Sequence, residues 1–534
     1  MNKYQTMFLA LIAINANAET ATNSQKSSQI LNQATPISQQ NDLGINRALA
    51  ASNGANLVGF LQRGNGAVSR TLQSKLQDTI NARDYGVKCD GSSDDTNAIN
   101  TAIKANSGKE IVIPAGKCLY KGGGILGDGT VLRGAGRNAT YIIAALPNSI
   151  LFSASGYGSG IRDIGFNAGP PQTNGTYVVL SGTESFIEDF FMNGDYNGVL
   201  MTGKVARIRH GRFQSGAKGS IRIRAEGGDT SQLIDDVMIG AQQPEITYAG
   251  IRVRNSAALI ISNTSVIQQN IGLLVDPYTS HTGSATDAGN VSSLWVHDSF
   301  FDTQTLHGIQ IAPSGSASIV RSRFANIWAS SSGSDGVSIT NQSSGSINGL
   351  HFESLHTMDN KGSGVNMSGA MSDIAFLGGI FSGNANGLSV NSPINGLRIT
   401  DATIGTGGGF PANSGAGIRI TQKTSPLLIA DNTVVGNKTA IQDYSGAVSN
   451  KLIRSNVGFN PIANTPLSVT ASPMKWQNTT GDTVQVFINA GKVSSITVEG
   501  NIVATSTNTS VIVPQGASIE VLYSALPKLS YLGF

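Results

Sequence analysis

Arginines 222, 224, 252 and 254 and Asp276 follow three glycines, Gly219, Gly250 and Gly272, at similar offsets. If each glycine opens one turn of a repeating structure, these five charges gather on one face over three turns. Guanidinium forks bind carboxylates through paired hydrogen bonds, so that face reads as a groove for a carboxylate-bearing chain. The plainer alternative is a solvated ladder in which Arg254 pairs with Asp276. Two long interruptions flank it, one carrying Glu245 and Tyr248 and the other Tyr278, His281 and Asp287. Loops that widen a rigid scaffold are common seats of binding and catalysis.

A second group is His307 and Asp335, each directly before a glycine, with Asp302 in the preceding turn. An aspartate beside a histidine fixes its tautomer and raises its pKa; the plainer alternative is a polar corner. Glu353, His356, Asp359 and Lys361 make a further polar patch.

Two chemistries fit these residues. Glycoside hydrolysis needs two carboxyls, about 5–5.5 Å apart for retention or about 6.5–9.5 Å for inversion. The candidates are Glu245, Asp276, Asp302 and Asp335, with His307 as a further catalytic candidate. β-Elimination needs a base beside a uronic acid whose carboxylate is neutralised, which Arg252, Arg254, Tyr248 and His281 could supply. Substrate binding falls to Arg222, Arg224, Arg252, Arg254, Tyr248, Tyr278 and His281. No acidic cluster marks a calcium site, and neither a metal nor a cofactor is expected.

The elements that must position these groups are short strands. Gly219, Gly250, Gly272, Gly308, Gly336, Gly364, Gly387 and Gly417 each open four or five residues of in-out alternation, as in Gly250-Ile-Arg-Val-Arg254. Their spacings are 31, 22, 36, 28, 28, 23 and 30 residues, a repeat that reads as a solenoid of β-coils. A second strand recurs in each unit, for example Leu294–Asp298, Ile319–Ser322 and Leu350–Glu353. The expected fold is all-β, a single-stranded right-handed parallel β-helix with a helical N-terminal cap and a small C-terminal antiparallel β-domain. The 64 glycines among 534 residues fit corners with positive φ.

Row by row, the second outward position after each glycine gives Arg222, Arg252, Leu274, Gln310, Ser338, Asn366, Ser389 and Arg419. The fourth gives Arg224, Arg254, Asp276, Ala312, Thr340, Ser368, Asn391 and Thr421.

Residues 1–18 read as a secretory signal, with Lys3, an eight-residue apolar run and Ala16-Asn-Ala18. Residues 19–79 read as a flexible segment and neck, 80–465 as the β-helix and 466–534 as the C-terminal domain. Leu72, Leu76 and Ile80 share one helical face. Ser93 and Asp94 would cap a helix that turns Ile99, Ala102 and Ile103 inward over the open end of the solenoid. Cys89 and Cys118 are the two cysteines, and on export they could form a disulfide worth about 3–4 kcal/mol. A net charge of +3 is too small to argue for nucleic acid, and no segment is long enough for membrane insertion.

Residues 84–99, Asp-Tyr-Gly-Val-Lys-Cys-Asp-Gly-Ser-Ser-Asp-Asp-Thr-Asn-Ala-Ile, resemble the opening motif of the pectate-lyase-like β-helix superfamily. Residues 59–73, Gly-Phe-Leu-Gln-Arg-Gly-Asn-Gly-Ala-Val-Ser-Arg-Thr-Leu-Gln, are similar to the neck of bacteriophage tailspikes. The stretch from Trp476 to Tyr523 resembles a terminal domain of capsule-degrading tailspikes. The resemblance implies a homotrimeric depolymerase of bacterial capsular or extracellular polysaccharide, by hydrolysis or by elimination, either secreted or carried on a virion tail. A non-catalytic glycan-binding spike is the other possibility. The signal-like start, where tailspikes carry a virion-binding domain, and Cys89 depart from the family pattern.

Overall fold

A computed structural model describes residues 43–227, 231–240, 247–279, 289–446, 450–460 and 463–533. The expected signal and flexible segment, together with Glu245, His281 and Asp287, lie outside the described residues.

Residues 43–79 form a small unit with a two-residue antiparallel pair, Gly59–Phe60 with Arg70–Thr71. Residues 43–50 are helical, and the helix expected around Leu72 runs only to Leu76. The four-residue spacing that suggested a longer helix fails at Ile80, which opens a strand instead and pairs with Ile111.

From Ile80 to Arg454 the chain is a stack of parallel coils. Thirteen strands stack into one sheet, and a second sheet of 24 contains the longest strands of the chain. The second sheet carries the strands Leu233–Ile239, Trp295–Asp302, Ile319–Ser330 and Ile347–Met358, which contain the expected second strand of each unit. These longer strands bend at single left-handed residues such as Asp298, Asn326 and Ser354, with φ of 52°, 52° and 49°. Asp, Asn and Ser tolerate that conformation better than branched residues do.

The recurring glycines are needed for a different reason than positive φ, which among them only Gly219 adopts. Gly250, Gly272, Gly308, Gly336, Gly364, Gly387 and Gly417 stack rung on rung. A Cβ on Gly272 would lie 2.5 Å from the Gly308 carbonyl oxygen, on Gly308 2.6 Å from that of Gly336, and on Gly364 2.7 Å from that of Gly387. No side chain fits between successive backbones there.

Arg222 occupies this column. Ile221 and Ile223 pair with Ala249 and Ile251, so Arg222 sits opposite Gly250, and Gly219 lies outside the column. The cause is an irregularity in the strand Gly216–Ala225, where Asp195 pairs with Gly216 but Asn197 with Ile221. Arg222 is therefore not an outward ligand. Its side chain and that of Asp195 are both fully buried. Its Nε donates to Asp195 Oδ2 at 2.9 Å, its NH1 donates to the Gln214 carbonyl at 2.8 Å, and its guanidinium lies 5.1 Å from the Phe213 ring centroid.

The interior is apolar and continuous, with stacked rings such as Phe324–Phe352 at 4.8 Å and Phe352–Phe376 at 5.0 Å. One corner instead holds a buried amide ladder. Asn360 donates to Asn384 at 2.9 Å, Asn384 to Asn413 at 3.1 Å, and Asn413 to Asn437 at 2.8 Å. Each of the first three also donates to a backbone carbonyl, of Ala329, Thr357 and Phe381.

The N-terminal end is closed by the helix Thr96–Ala105, which turns Ile99, Ala102 and Ile103 into the core. Its cap differs from the expected one. Asp94 accepts from Thr96 N at 3.0 Å and pairs with Lys121, while Ser93 hydrogen-bonds Asp90. Buried Asp95 accepts from the backbone N–H groups of Lys88 and Cys89 at 2.8 and 3.0 Å. The sulfurs of Cys89 and Cys118 are bonded beneath this helix.

Residues 465–533 form two antiparallel four-stranded sheets around their own core. Strands Met474–Gln477, Val484–Asn489, Lys492–Val498 and Ser518–Ala525 are among them, in keeping with the expected antiparallel β-domain. Among the described residues no helix is long and apolar enough to cross a membrane.

Two stability measurements follow from the buried polar groups. Arg222→Met strands a buried carboxylate, so chemical denaturation should show a loss of about 3–5 kcal/mol, largely recovered in Arg222→Met/Asp195→Asn. Asn384→Ala leaves the partners of two amides and a carbonyl unsatisfied and should cost roughly 3 kcal/mol by the same assay. Unchanged midpoints would contradict both assignments.

Candidate active site

The corrected register builds the site. Arg224, Arg252, Leu274, Gln310 and Ser338 stand in one outward row on the thirteen-stranded sheet. Two residues further along each of the first three strands come Glu226, Arg254 and Asp276. Glu226 was not singled out in the sequence because the irregularity at Gly216–Ile221 hid its row.

Arg224 Nε donates to Glu226 Oε1 at 2.9 Å. Arg252 Nε donates to Asp276 Oδ1 at 2.8 Å, and Arg254 NH2 reaches Asp276 Oδ2 at 3.2 Å. Three guanidiniums thus meet two carboxylates in a partly buried patch, with Asp276 16% exposed. The arginines are held by protein carboxylates, as the ladder alternative foresaw, and Asp276 pairs more closely with Arg252 than with Arg254. Burial pushes the Asp276 carboxyl up to about 6; Arg252 opposes that shift and the Glu226 charge adds to it. Glu226 and Asp276 lie two rungs apart, about 9–10 Å along the axis. Beside them Ile221, Ala249, Ile271 and Leu274 form a small apolar cluster apart from the main core.

The two tyrosines separate. Tyr278 follows Asp276 by two residues in a strand paired with Ser314–Gly315. Tyr248 lies at the opposite end of its strand, with its N–H donating to the Ser220 carbonyl. Both are 41% exposed, and only Tyr278 adjoins the carboxyl pair.

His307 and Asp335 also sit at that far end and do not join the arginine patch. The Asp335 backbone N–H donates to His307 Nδ1 at 3.3 Å, and the Asp335 carboxylate accepts from Ser363 N at 2.8 Å and Asn366 Nδ2 at 3.1 Å. Burial lowers the His307 pKa more than Asp335 raises it, against the sequence expectation. The pair is a polar corner with its hydrogen bonds spent on the Asp335 and Ser363 backbone and on the Asn366 side chain. Asp302 belongs to the other sheet, opposite Ser330, and its carboxyl is raised by burial. The patch of four also divides: Glu353 pairs with Arg323, while His356 lies beyond the bend at Ser354 and is lowered by burial.

A family model described as rhamnogalacturonase A/epimerase, pectate lyase-like, matches residues 79–273. A double mutant of the tailspike protein of E. coli bacteriophage HK620 superposes with a TM-score of 0.54 at 11% identity, covering 92% of this chain and 99% of that one. The same figures hold for another double mutant of that tailspike, in complex with a pentasaccharide. The A-module of an Azotobacter vinelandii mannuronan C-5 epimerase gives 0.46 at 17% identity, over 70% of this chain and 100% of that one. No curated protein matches. The chain therefore carries a pectate-lyase-like right-handed β-helix with a tailspike-type fold.

Proposed function

We propose that the protein is a depolymerase that hydrolyses glycosidic bonds of bacterial capsular or extracellular polysaccharide. The observation that carries this reading is the pair Glu226 and Asp276, two rungs apart on one face, the second with its carboxyl pushed up by burial. Family and fold support action on polysaccharide, and the related tailspike binds a pentasaccharide.

In this mechanism Asp276, protonated, donates its proton to the departing glycosidic oxygen. Glu226 takes a proton from a water whose oxygen attacks the anomeric carbon from the opposite face. One bond breaks, one forms, and water is divided between the two ends. The strands leading to Glu226 and Asp276 lie about 9–10 Å apart along the axis, wider than the carboxyl spacing of about 5–5.5 Å used for retention and nearer that of about 6.5–9.5 Å used for inversion. Arg252 and Arg254 hold the acid in place, and Tyr278 offers an exposed ring beside it.

Elimination on a uronic acid is the second reading. It is favoured by the surplus of guanidiniums, Arg224, Arg252 and Arg254 against Glu226 and Asp276, which suits an anionic sugar. The neck-like residues 59–73 support a homotrimer, on a virion tail or secreted.

Cleavage of capsular polysaccharides by size-exclusion chromatography tests the assignment. Asp276→Asn and Glu226→Gln should each lower kcat/KM by about 10²–10⁴-fold with unchanged melting temperatures. The folded pKa of Asp276 is raised, so its acid form persists up to about pH 6. Activity should therefore fall as pH rises through that value. Full activity in both variants would contradict the mechanism, and absence of cleavage across the panel would favour a binding protein.

A further inference from the structure

We infer that the outer face of the 24-stranded sheet carries a second glycan-binding platform, formed by Phe300, Trp328 and His356 with Asp302 at its edge. The inference rests on the reading that this protein acts on polysaccharide, and it adds a site on a different sheet from Glu226 and Asp276.

The three rings occupy one outward position on successive rungs, Phe300 opposite Trp328 and Trp328 opposite His356. Ring centroids are 6.1 and 6.2 Å apart, and the Trp328 and His356 planes differ by only 14°. Phe300 is 50% exposed, and the other two are half-buried. The stripe is bounded at both ends. The preceding rung carries Ser265. The following one carries Ile380, closely approached by the turn at Gly407 and Gly408, where a Cβ on Gly408 would lie 3.4 Å from Ile380 and 3.0 Å from Met358 Sδ.

Asp302 points the chemistry toward sugar. Its carboxylate hydrogen-bonds Ser331 and Thr303, which fixes it two residues beyond Phe300 on the same strand. The residue stays partly exposed there, so it sets a hydrogen-bond acceptor for sugar hydroxyls beside the aromatic stripe. Flat rings take the C–H face of a pyranose, and the step from ring to ring is comparable with one sugar unit. Small-ligand sites combine such apolar floors with a few placed polar groups. A stripe one residue wide is too narrow for a stable contact with a second copy of this chain, which needs about 800 Å² per partner.

The test uses the full chain on an array of purified bacterial capsular and O-antigen polysaccharides. Asp276→Asn should keep array binding, while Trp328→Ala and Phe300→Ala should lose about ten-fold or more; Trp328→Phe should restore most of it. In the Trp295→Phe/Trp476→Phe variant, where Trp328 is the remaining tryptophan, emission should shift when a bound polysaccharide is added. Binding unchanged in Trp328→Ala would overturn the platform, as would loss of an oligomer in that variant by light scattering. Failure of the hydrolysis reading looks different: polymer stays intact while array binding and its dependence on Trp328 persist.

Discussion

Seven stacked glycines set the distance between successive coils at one edge of the thirteen-stranded sheet. A Cβ on any of the seven would come within 3 Å of the next rung's carbonyl oxygen, so the glycine run lets the backbones close to ladder spacing without displacement. That contact aligns each strand with the next, so every outward position becomes a row along the axis. The candidate site, the amide ladder and the aromatic stripe are all consequences of that registration. Each is a set of residues distant in sequence and brought to neighbouring rungs.

Arg222 marks where the column ends. An arginine in a glycine position cannot lie between backbones, and its side chain turns into the protein toward Asp195. The local strand is irregular there, which shifts every outward residue relative to a count taken from Gly219. A buried ion pair of this kind is weak evidence for stability, since desolvation offsets much of its attraction. Its effect here is positional: Arg224 is delivered to the row of Arg252, and Glu226 to the row of Asp276.

The repeat, the strand pattern, the helical cap and the C-terminal sheets were legible because alternation and punctuation are local properties of the chain. The rows were legible from Arg252 onward for the same reason, since the glycines count them correctly. Arg222 and Glu226 were not, because an irregular strand leaves no trace in the in-out pattern. His307 and Asp335 were rightly placed on adjacent coils, but Asp335 is engaged by the Ser363 backbone and the Asn366 side chain, partners that no sequence pattern displays. The Phe300, Trp328 and His356 row escaped notice because those residues lie past the left-handed bend, where counting from the preceding strand loses its phase. Their spacing of 28 residues was the available signal.

The account turns on the two-rung separation of Glu226 and Asp276, and the stereochemistry of the product reports on it most directly. Proton NMR of a cleaved polysaccharide in the first minutes of reaction distinguishes the anomer released before mutarotation. Two carboxyls at that separation leave room for a water and predict an inverted anomer. A retained anomer, or an unsaturated uronic acid at the new end, would contradict the mechanism.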